Sequence, residues 1–492
     1  MQDIKIREEK MKEKRLHTSR RQFVMEICSR YPLVLYRNSG IISRFPETAR
    51  TQKIVKSNAY EYNPKLLEYD KNLSFMENFM QMFLSSPKQA LGHFMTNENV
   101  EYCDIAYGAK NAYLSFDVGD DSENVLYSDI VNSNCRNVLN STFIVRNSQN
   151  IFFSNFVMEW FNIFYSRYIT NCSDIWFSSN LVWCHNCILC DNLNNKSYYI
   201  ANKEYSKEAY EIEKIQLLAD KKKFVEYQKK ANVMSVNYGT ENSNGNALYY
   251  SENVENWYYA HNIKNARNIV FATWIEESKN IYDCIKSTVK CVDAYFSCFS
   301  WRANNVYGCI NTWMVTNVYY SFLLENCSYC LGCIWLKNKE FCIFNRQYTK
   351  EERFEKANEI FAQMDKDWTL WQFFPWTMNP FYFNDTVAYL IDDSFAKEEV
   401  IKEWYLRRDE EIKVDVPAGA EVITTKALNN FQWFNERGER EINPEILKKV
   451  IKDEKWNIYR IIPMELEFLQ KYGLPLPEIH RLERIKLGFK FK

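Results

Sequence analysis

Asparagine or aspartate returns every 12 or 13 residues along two stretches of this chain. The first runs through Asn99, Asn111, Asn124, Asn137, Asn150, Asn162, Asp174 and Asn186. The second runs through Asn256, Asn268, Asn280, Asp293, Asn305 and Asn317, with Tyr329 in the last place. A unit this short cannot bury its own apolar side chains, so it is stable only when copies stack and pair backbone to backbone. With the recurring residue as position one, position two is mostly Val or Ile, as in Val125, Val138, Ile151, Ile163, Ile175, Ile269, Val306 and Val318. Position eight is mostly aliphatic, as in Val131, Ile144, Val157, Ile169, Leu181, Ile263, Ile275 and Leu324. Position five is small (Ser128, Ser141, Ser154, Ser166, Ser178, Ala260, Ala272, Cys284, Ser297, Cys309, Ser321). Position eleven, or twelve in longer units, is mostly small again (Cys135, Ser148, Cys172, Cys184, Ala266, Ser278, Ala303, Cys327). Inward residues at every third position, alternately medium and small, describe a very narrow tube. Its coils would sit about 4.8 Å apart, so eight would rise roughly 38 Å. Asparagines aligned at one corner would hydrogen-bond up the stack as a ladder.

The expected fold is therefore mainly β: a narrow parallel β-solenoid in two blocks, with helical caps and α+β terminal regions. Its regions are an N-terminal mixed α/β segment at 1–95, the first block at 96–200, a helical cap at 201–243, the second block at 244–347, and a helical and α+β region at 348–492. The blocks end alike, LNNKSYYIANKEYSKEAY after the first and LKNKEFCIFNRQYTKEER after the second, which an internal duplication explains. Each ending runs into a helix, with Ser206 as one N-cap and Thr349 with Glu352 spaced as a capping box in the other. Tyr205, Tyr210, Ile212, Ile215 and Leu218 would form the apolar side of the first of these helices. Such helices would close the tube ends, where unpaired strand edges invite aggregation. Elsewhere the patterns predict a charged N-terminal helix, a strand and turn around Tyr36 to Arg44, and helices at Asp70–Leu84, Glu398–Arg408 and Glu445–Asp453. Residues 366–392 are too aromatic for a linker and should pack on something.

The inward pattern at positions two, five, eight and eleven resembles the 12-residue coil of insect hyperactive antifreeze proteins. That family pairs cysteines at positions two and eight and flanks position two with threonine. Here no coil has Cys at both places and position three is Tyr, Phe, Trp or Leu, so the resemblance implies coil geometry and not ice binding. A second resemblance spans nearly the whole chain. The stretches YCDIAYGAKNAYLSFDVGDDSENV from Tyr102, LNNKSYYIANKEYSKEAY from Leu193, LKNKEFCIFNRQYTKEER from Leu336, NPFYFNDTVA from Asn379 and IIPMELEFLQKYGLPLP from Ile461 carry it. They resemble a family of uncharacterised bacterial β-solenoid repeat proteins, which implies the fold and no activity. Members of that family also carry cysteine-rich zinc ribbons near their ends. This chain has only Cys28 before the solenoid and no cysteine after Cys342, so the ribbons are expected to be lost here.

Composition narrows the function classes. A net charge of −1 over 492 residues supplies no global field toward nucleic acid or anionic lipid, and nucleic acid is not an expected partner. Glycine (12) and proline (11) are too few for a disordered or loop-rich chain, while aromatics reach 16%. No run of 18 apolar residues occurs, so no membrane span is expected. The charged first residues are not a secretory signal. With 15 cysteines they imply free thiols in a reducing, cytoplasmic compartment, with a virion or cell surface as the other setting.

Two sets of candidate residues stand out. Cys184, Cys187 and Cys190 share the C-x2-C-x2-C spacing with Cys327, Cys330 and Cys333, a spacing that converges thiolates on zinc or an iron–sulfur cluster. The same residues occupy inward positions, as do twelve of the fifteen cysteines, with Cys28, Cys298 and Cys342 outside the pattern. Buried cysteine suits a tight tube, so core packing is the leading reading and no cofactor is expected. Position three carries aromatic columns, Phe152, Phe164 and Trp176 in the first block and Tyr282, Tyr295, Tyr307 and Tyr319 in the second. If positions two and five point inward these rings cannot all do so, and an outward column is too apolar to leave wet. It would bury against the rest of the assembly or bind a partner. A looser cluster, Asp117, Asp120, Asp121 and Glu123, offers carboxylates to calcium without the regular loop spacing.

For catalysis the sequence offers little. Its five histidines (His17, His93, His185, His261, His480) sit in no nucleophile or metal motif, and no glycine-rich phosphate loop is present. Paired carboxylates for glycan cleavage would have to come from Glu101 and Asp283, in different blocks. The expected function is a non-enzymatic scaffold or interaction protein that uses an aromatic solenoid face for self-assembly or for a protein partner. The alternatives are a glycan-binding or glycan-cleaving β-helix of a surface or phage fibre, and a thiol-ligated metal-binding protein.

Overall fold

A computed structural model describes the chain except for residues 1, 39, 50–53, 56–64, 231–247, 250, 256–259, 262, 266, 270–278, 286–290, 293, 296–297, 302, 410–415, 417–418 and 490–492. Asn256, Ala266, Ala272, Ile275, Ser278, Asp293 and Ser297 of the repeat lie outside the described residues. The chain forms two compact units, each built from two separate stretches: 1–91 with 235–408, and 92–234 with 409–492. Each unit thus combines one solenoid with terminal segments far away in sequence. Its helices are α1 (Gln2–Leu16), α2 (Arg20–Glu26), α3 (Phe75–Ser85), α4 (Lys207–Ala219), α5 (Lys221–Lys230), α6 (Lys350–Lys366), α7 (Val387–Ile391), α8 (Lys397–Lys402), α9 (Pro463–Tyr472) and α10 (Arg481–Phe489).

The first solenoid is a parallel stack of coils with two short strands per coil. One sheet runs through Glu98–Glu101, Lys110–Tyr113, Glu123–Leu126, Arg136–Leu139, Gln149–Phe152, Phe161–Phe164, Ser173–Trp176, His185–Ile188 and Ser197–Ile200, the other from His93–Phe94 to Asp191–Asn194. Register is in phase throughout, with Val125, Val138, Ile151, Ile163, Ile175 and Cys187 in line. The backbone explains the period of three. In the coil starting at Asn162, Asn162, Tyr165, Tyr168 and Asn171 all have φ between 51° and 63°, and the other coils repeat this. Each such residue turns a corner, and the residue after it points inward. The tube is therefore four-cornered, filled by positions two, five, eight and eleven. Left-handed φ costs an L-residue about 1–2 kcal/mol, with asparagine the usual exception beside glycine. Asparagine at one corner of every coil relieves one of the four penalties.

It also supplies the ladder. Each side-chain amide donates to the next, from Asn99 through Asn111, Asn124, Asn137, Asn150 and Asn162 to Asp174, at 2.8–3.1 Å. Position-five serines make a second column. Ser154 Oγ accepts from the Ser166 amide and Ser166 Oγ from the Ser178 amide, at 3.1 and 3.0 Å.

The second solenoid repeats the plan, with its core through Ile269, Ile281, Ala294, Val306, Val318, Cys330 and Cys342. Cys342, expected outside the pattern, is inward, because one more coil follows Tyr329 and places it at position two. Asn268 departs from the expected ladder: it is buried, and its amide donates to the Thr18 carbonyl at 3.0 Å. Glycine takes a corner where the next coil lies close. At Gly332 (φ 63°) an added Cβ would stand 2.9 Å from the Phe344 ring.

Both tubes end by the same device. The Asn202 side chain accepts from the Asp191 amide and donates to its carbonyl, both at 2.9 Å. Asn345 does the same to Ile334 at 2.9 and 3.0 Å. One side-chain amide thus replaces the backbone of the coil that does not follow. A two-residue antiparallel return then leads to Ser206 capping α4 and to the Thr349–Glu352 capping box of α6. The helix α4 meets the tube through Tyr210, whose ring lies 5.7 Å from Tyr198, with Leu217 also buried. The expected apolar side is corrected: Ile212 and Ile215 are exposed, because Tyr210 sets which side rests on the coil.

Other elements sharpen or correct the sequence reading. The hairpin of Tyr36–Asn38 with Ile41–Ser43 and α3, N-capped by Ser74, stand where expected. The C-terminal expectation at Glu398–Arg408 shortens to α8, and the chain turns at Trp404 (φ 63°). Glu445–Asp453 is not an α-helix. Pro444, with the Asn443 side chain accepting from the Glu445 amide, makes a 3-10 turn over Pro444–Lys448. The β-branched pair Val450–Ile451 then joins a sheet with Val422–Thr424 and Ile458–Tyr459.

Candidate functional site

The aromatic columns exist as stacks. Phe164 and Trp176 lie 4.2 Å apart, Tyr282 and Tyr295 4.7 Å, Tyr295 and Tyr307 4.9 Å, and Tyr307 and Tyr319 5.1 Å. All seven expected face residues, Phe152 among them, are nevertheless buried. In the first-solenoid unit α9 covers the column, with Phe468 5.9 Å from Phe152 and Tyr472 5.6 Å from Phe164. Phe224 of α5 meets Tyr165 and Phe177 edge-on at 5.4 and 5.0 Å. Arg484 of α10 stands 5.1 Å over Tyr127 and bonds Glu465 at 2.9 Å. In the second-solenoid unit Trp371 and Phe361 cover Tyr307 and Tyr319, and Tyr319 donates to Glu8 at 2.5 Å. The aromatic stretch 366–392 has its partner here. A ligand would meet these columns only if the covering segments moved.

The cysteine runs lie inside the tubes. Their thiols donate to the carbonyl two residues back: Cys184 to Val182, Cys187 to His185, Cys190 to Ile188, and likewise Cys327, Cys330 and Cys333, at 3.2–3.5 Å. Burial pushes the Cys103, Cys135 and Cys309 thiols up to about 12. The central thiols Cys187 and Cys330 are held up by the hydrogen bonds they donate to neighbouring thiols and by burial. Among the described residues, no group of three or more Cys, His, Asp or Glu side chains is arranged to hold a metal ion. That covers both cysteine runs and the Asp117–Glu123 cluster. Asp283, the candidate acid of the second block, is fully buried against Arg15, which also bonds Glu26 at 3.0 Å. Glu101 is exposed and in the other unit.

A different cluster on the first solenoid is open to solvent. Trp160 is 38% exposed, Phe161 41% and Trp183 52%. Trp160 occupies position eleven, the counterpart of inward Ser148 below and Cys172 above. Its carbonyl accepts from the Gln149 amide at 2.8 Å, just as that of Ser148 accepts from Arg136. An indole cannot fit a tube packed with Ser and Cys at that place. It stands outside instead, and the backbone gives way to φ 134°, a strained region for any residue but glycine. The indole lies along the face: its Nε1 donates to Asn171 Oδ1 at 3.3 Å, its ring is 6.1 Å from Phe161, and it meets the His185 ring edge-on at 5.6 Å. His185 Nδ1 in turn pairs with Ser173 Oγ at 2.8 Å. Of the charges beside this face, Arg146 pairs with Glu159 at 3.7 Å and Asp174 accepts from Asn162 at 2.8 Å, while Lys196, whose carbonyl accepts from the His185 amide, is exposed. Periodicity had singled out none of these rings. The signal was there as a violation, a tryptophan where the repeat demands a small residue.

No family model matches the chain, and neither the curated proteins nor the solved structures contain a significant match to it.

Proposed function

We propose that this chain is a non-enzymatic interaction protein in which a solenoid serves as a rigid scaffold and engages its partner, or a second copy of itself, through aromatic residues on an outer face. The supporting observation is that the chain covers the aromatic columns at position three but leaves Trp160, Phe161 and Trp183 open, one of them at a strained backbone position. A column under its own roof stiffens the rod. An uncovered ring on that rod is pre-positioned for contact, with little side-chain entropy left to lose on binding.

The test of assembly is light scattering across a hundredfold concentration range, on the wild type and on Phe161→Ser/Trp183→Ser. A mass that grows with concentration and falls back in the double variant supports self-association through this face. A monomer at every concentration removes self-association and leaves a partner other than the chain itself. The whole reading is lost if the double variant matches the wild type in mass and in every binding measurement.

A further inference from the structure

We propose that the Trp160 face of the first solenoid is a binding platform for an extended, uncharged glycan. This rests on the reading of the chain as an interaction protein and names the ligand class of its open face. Three observations carry it. The first is strain at one position: the tube gives up an inward residue and accepts φ 134° to put an indole outside, and strain of that kind persists where it serves a purpose. The second is the mixed chemistry of the surface. Trp160 and Phe161 offer ring faces, while Asn171, Ser173 and His185 around them carry amide, hydroxyl and imidazole groups. Sugars present just this alternation, with C–H faces that stack on aromatic rings and hydroxyls that need donors and acceptors at the edge. An apolar protein contact would have to desolvate the polar edges that these groups do not use on one another.

The third observation is charge. Beside the platform the cations Arg146 and Lys196 are offset by the carboxylates of Glu159 and Asp174, so it presents no net positive charge to a phosphate, sulfate or uronate. That selects a neutral polymer over nucleic acid, whose binding depends on neutralising phosphates. Geometry adds the word extended. Trp183 stands two coils beyond Trp160, about 10 Å along the stack by strand spacing, which is near the span of two pyranose rings laid end to end.

The full-length protein is tested for retention on immobilised cellulose, chitin, starch and β-1,3-glucan. The variants are Trp160→Gly, Phe161→Ser and, as a control on a more exposed indole of the other unit, Trp404→Ser. Retention on at least one polymer is expected, weakened about tenfold or more in Trp160→Gly and Phe161→Ser and unchanged in Trp404→Ser. Glycine relieves the backbone at 160, so Trp160→Gly should melt no lower than the wild type while losing the ligand. Loss of retention in both variants with an unchanged melt separates binding from folding. No retention of the wild type on any of the four polymers overturns the glycan assignment, as does retention that Trp160→Gly and Phe161→Ser leave intact. Mass growth through the same face in light scattering, with no glycan retained, would refute the ligand and keep the interaction reading.

Discussion

The asparagine ladder permits a quantitative test at Asn150. Its amide donates to Asn162 and its Oδ1 accepts from Asn137, both at 2.9 Å, and its φ is 59°. Asn150→Gly removes both bonds and keeps the corner comfortable. At about 1 kcal/mol net per hydrogen bond, the cost is about 2 kcal/mol. Asn150→Ala removes the same bonds and also forces a Cβ into the left-handed region, for about 1 kcal/mol more. Neighbours should couple: Asn137 and Asn150 share one bond, so Asn137→Ala/Asn150→Ala loses three bonds where the single variants sum to four. The double variant should then fall about 1 kcal/mol short of additivity. Urea unfolding, read by hydrogen exchange in peptides from 136–165, measures all four species. Equal effects of glycine and alanine, each within about 0.5 kcal/mol of wild type, would refute the ladder as a stabilising element, and strict additivity would refute the shared bond.

Two further outcomes follow from buried groups. His480 is held down to about 3 by burial and then by Arg481 and Arg484, and its Nδ1 accepts from the Leu482 amide at 3.3 Å. Its folded value lies below the unfolded one, so its contribution is present above about 6.5 and fades as pH falls. The first-solenoid unit should lose about 3 kcal/mol between pH 6.5 and 4 on this account, and His480→Asn should flatten that slope; an unchanged slope in thermal melts sinks the assignment. The fourteen described cysteines are all buried, so iodoacetamide should label almost none of them in the folded protein and all of them in guanidine. Fast native labelling of Cys187 or Cys330, followed by mass spectrometry, would show that the tubes open.

Much of this fold was legible because a stack repeats its constraint in every coil. Val125, Val138, Ile151 and Ile163 each report the same inward position, so one substitution cannot hide the pattern. Caps at Ser206 and Thr349 were equally plain, since a cap is a local signal. What covers the aromatic columns was not. Phe468 over Phe152 and Phe361 over Tyr319 are matches of shape between distant segments, and no period links them. The open site was readable only against the rule, because Trp160 breaks a pattern that every neighbouring coil keeps. Glu445–Asp453 misled for a simpler reason: its helical spacing yielded to Pro444 and to a sheet that needed Val450 and Ile451.

The interleaving of the two units carries a consequence for how the molecule is made. Residues 1–91 pack with 235–408, and 92–234 pack with 409–492. On a ribosome adding about 5–20 residues per second, α3 emerges with Phe75 and Phe79 bare, and Tyr320 and Phe374, which cover them, come much later. The first tube can stack as it emerges, since each coil needs only the one before it, yet its column at Phe152 and Phe164 stays wet until α9 is translated. Neither unit can close during the first half of translation. Nascent chains should therefore persist as half-roofed rods, with apolar rings bare, until the last helices arrive.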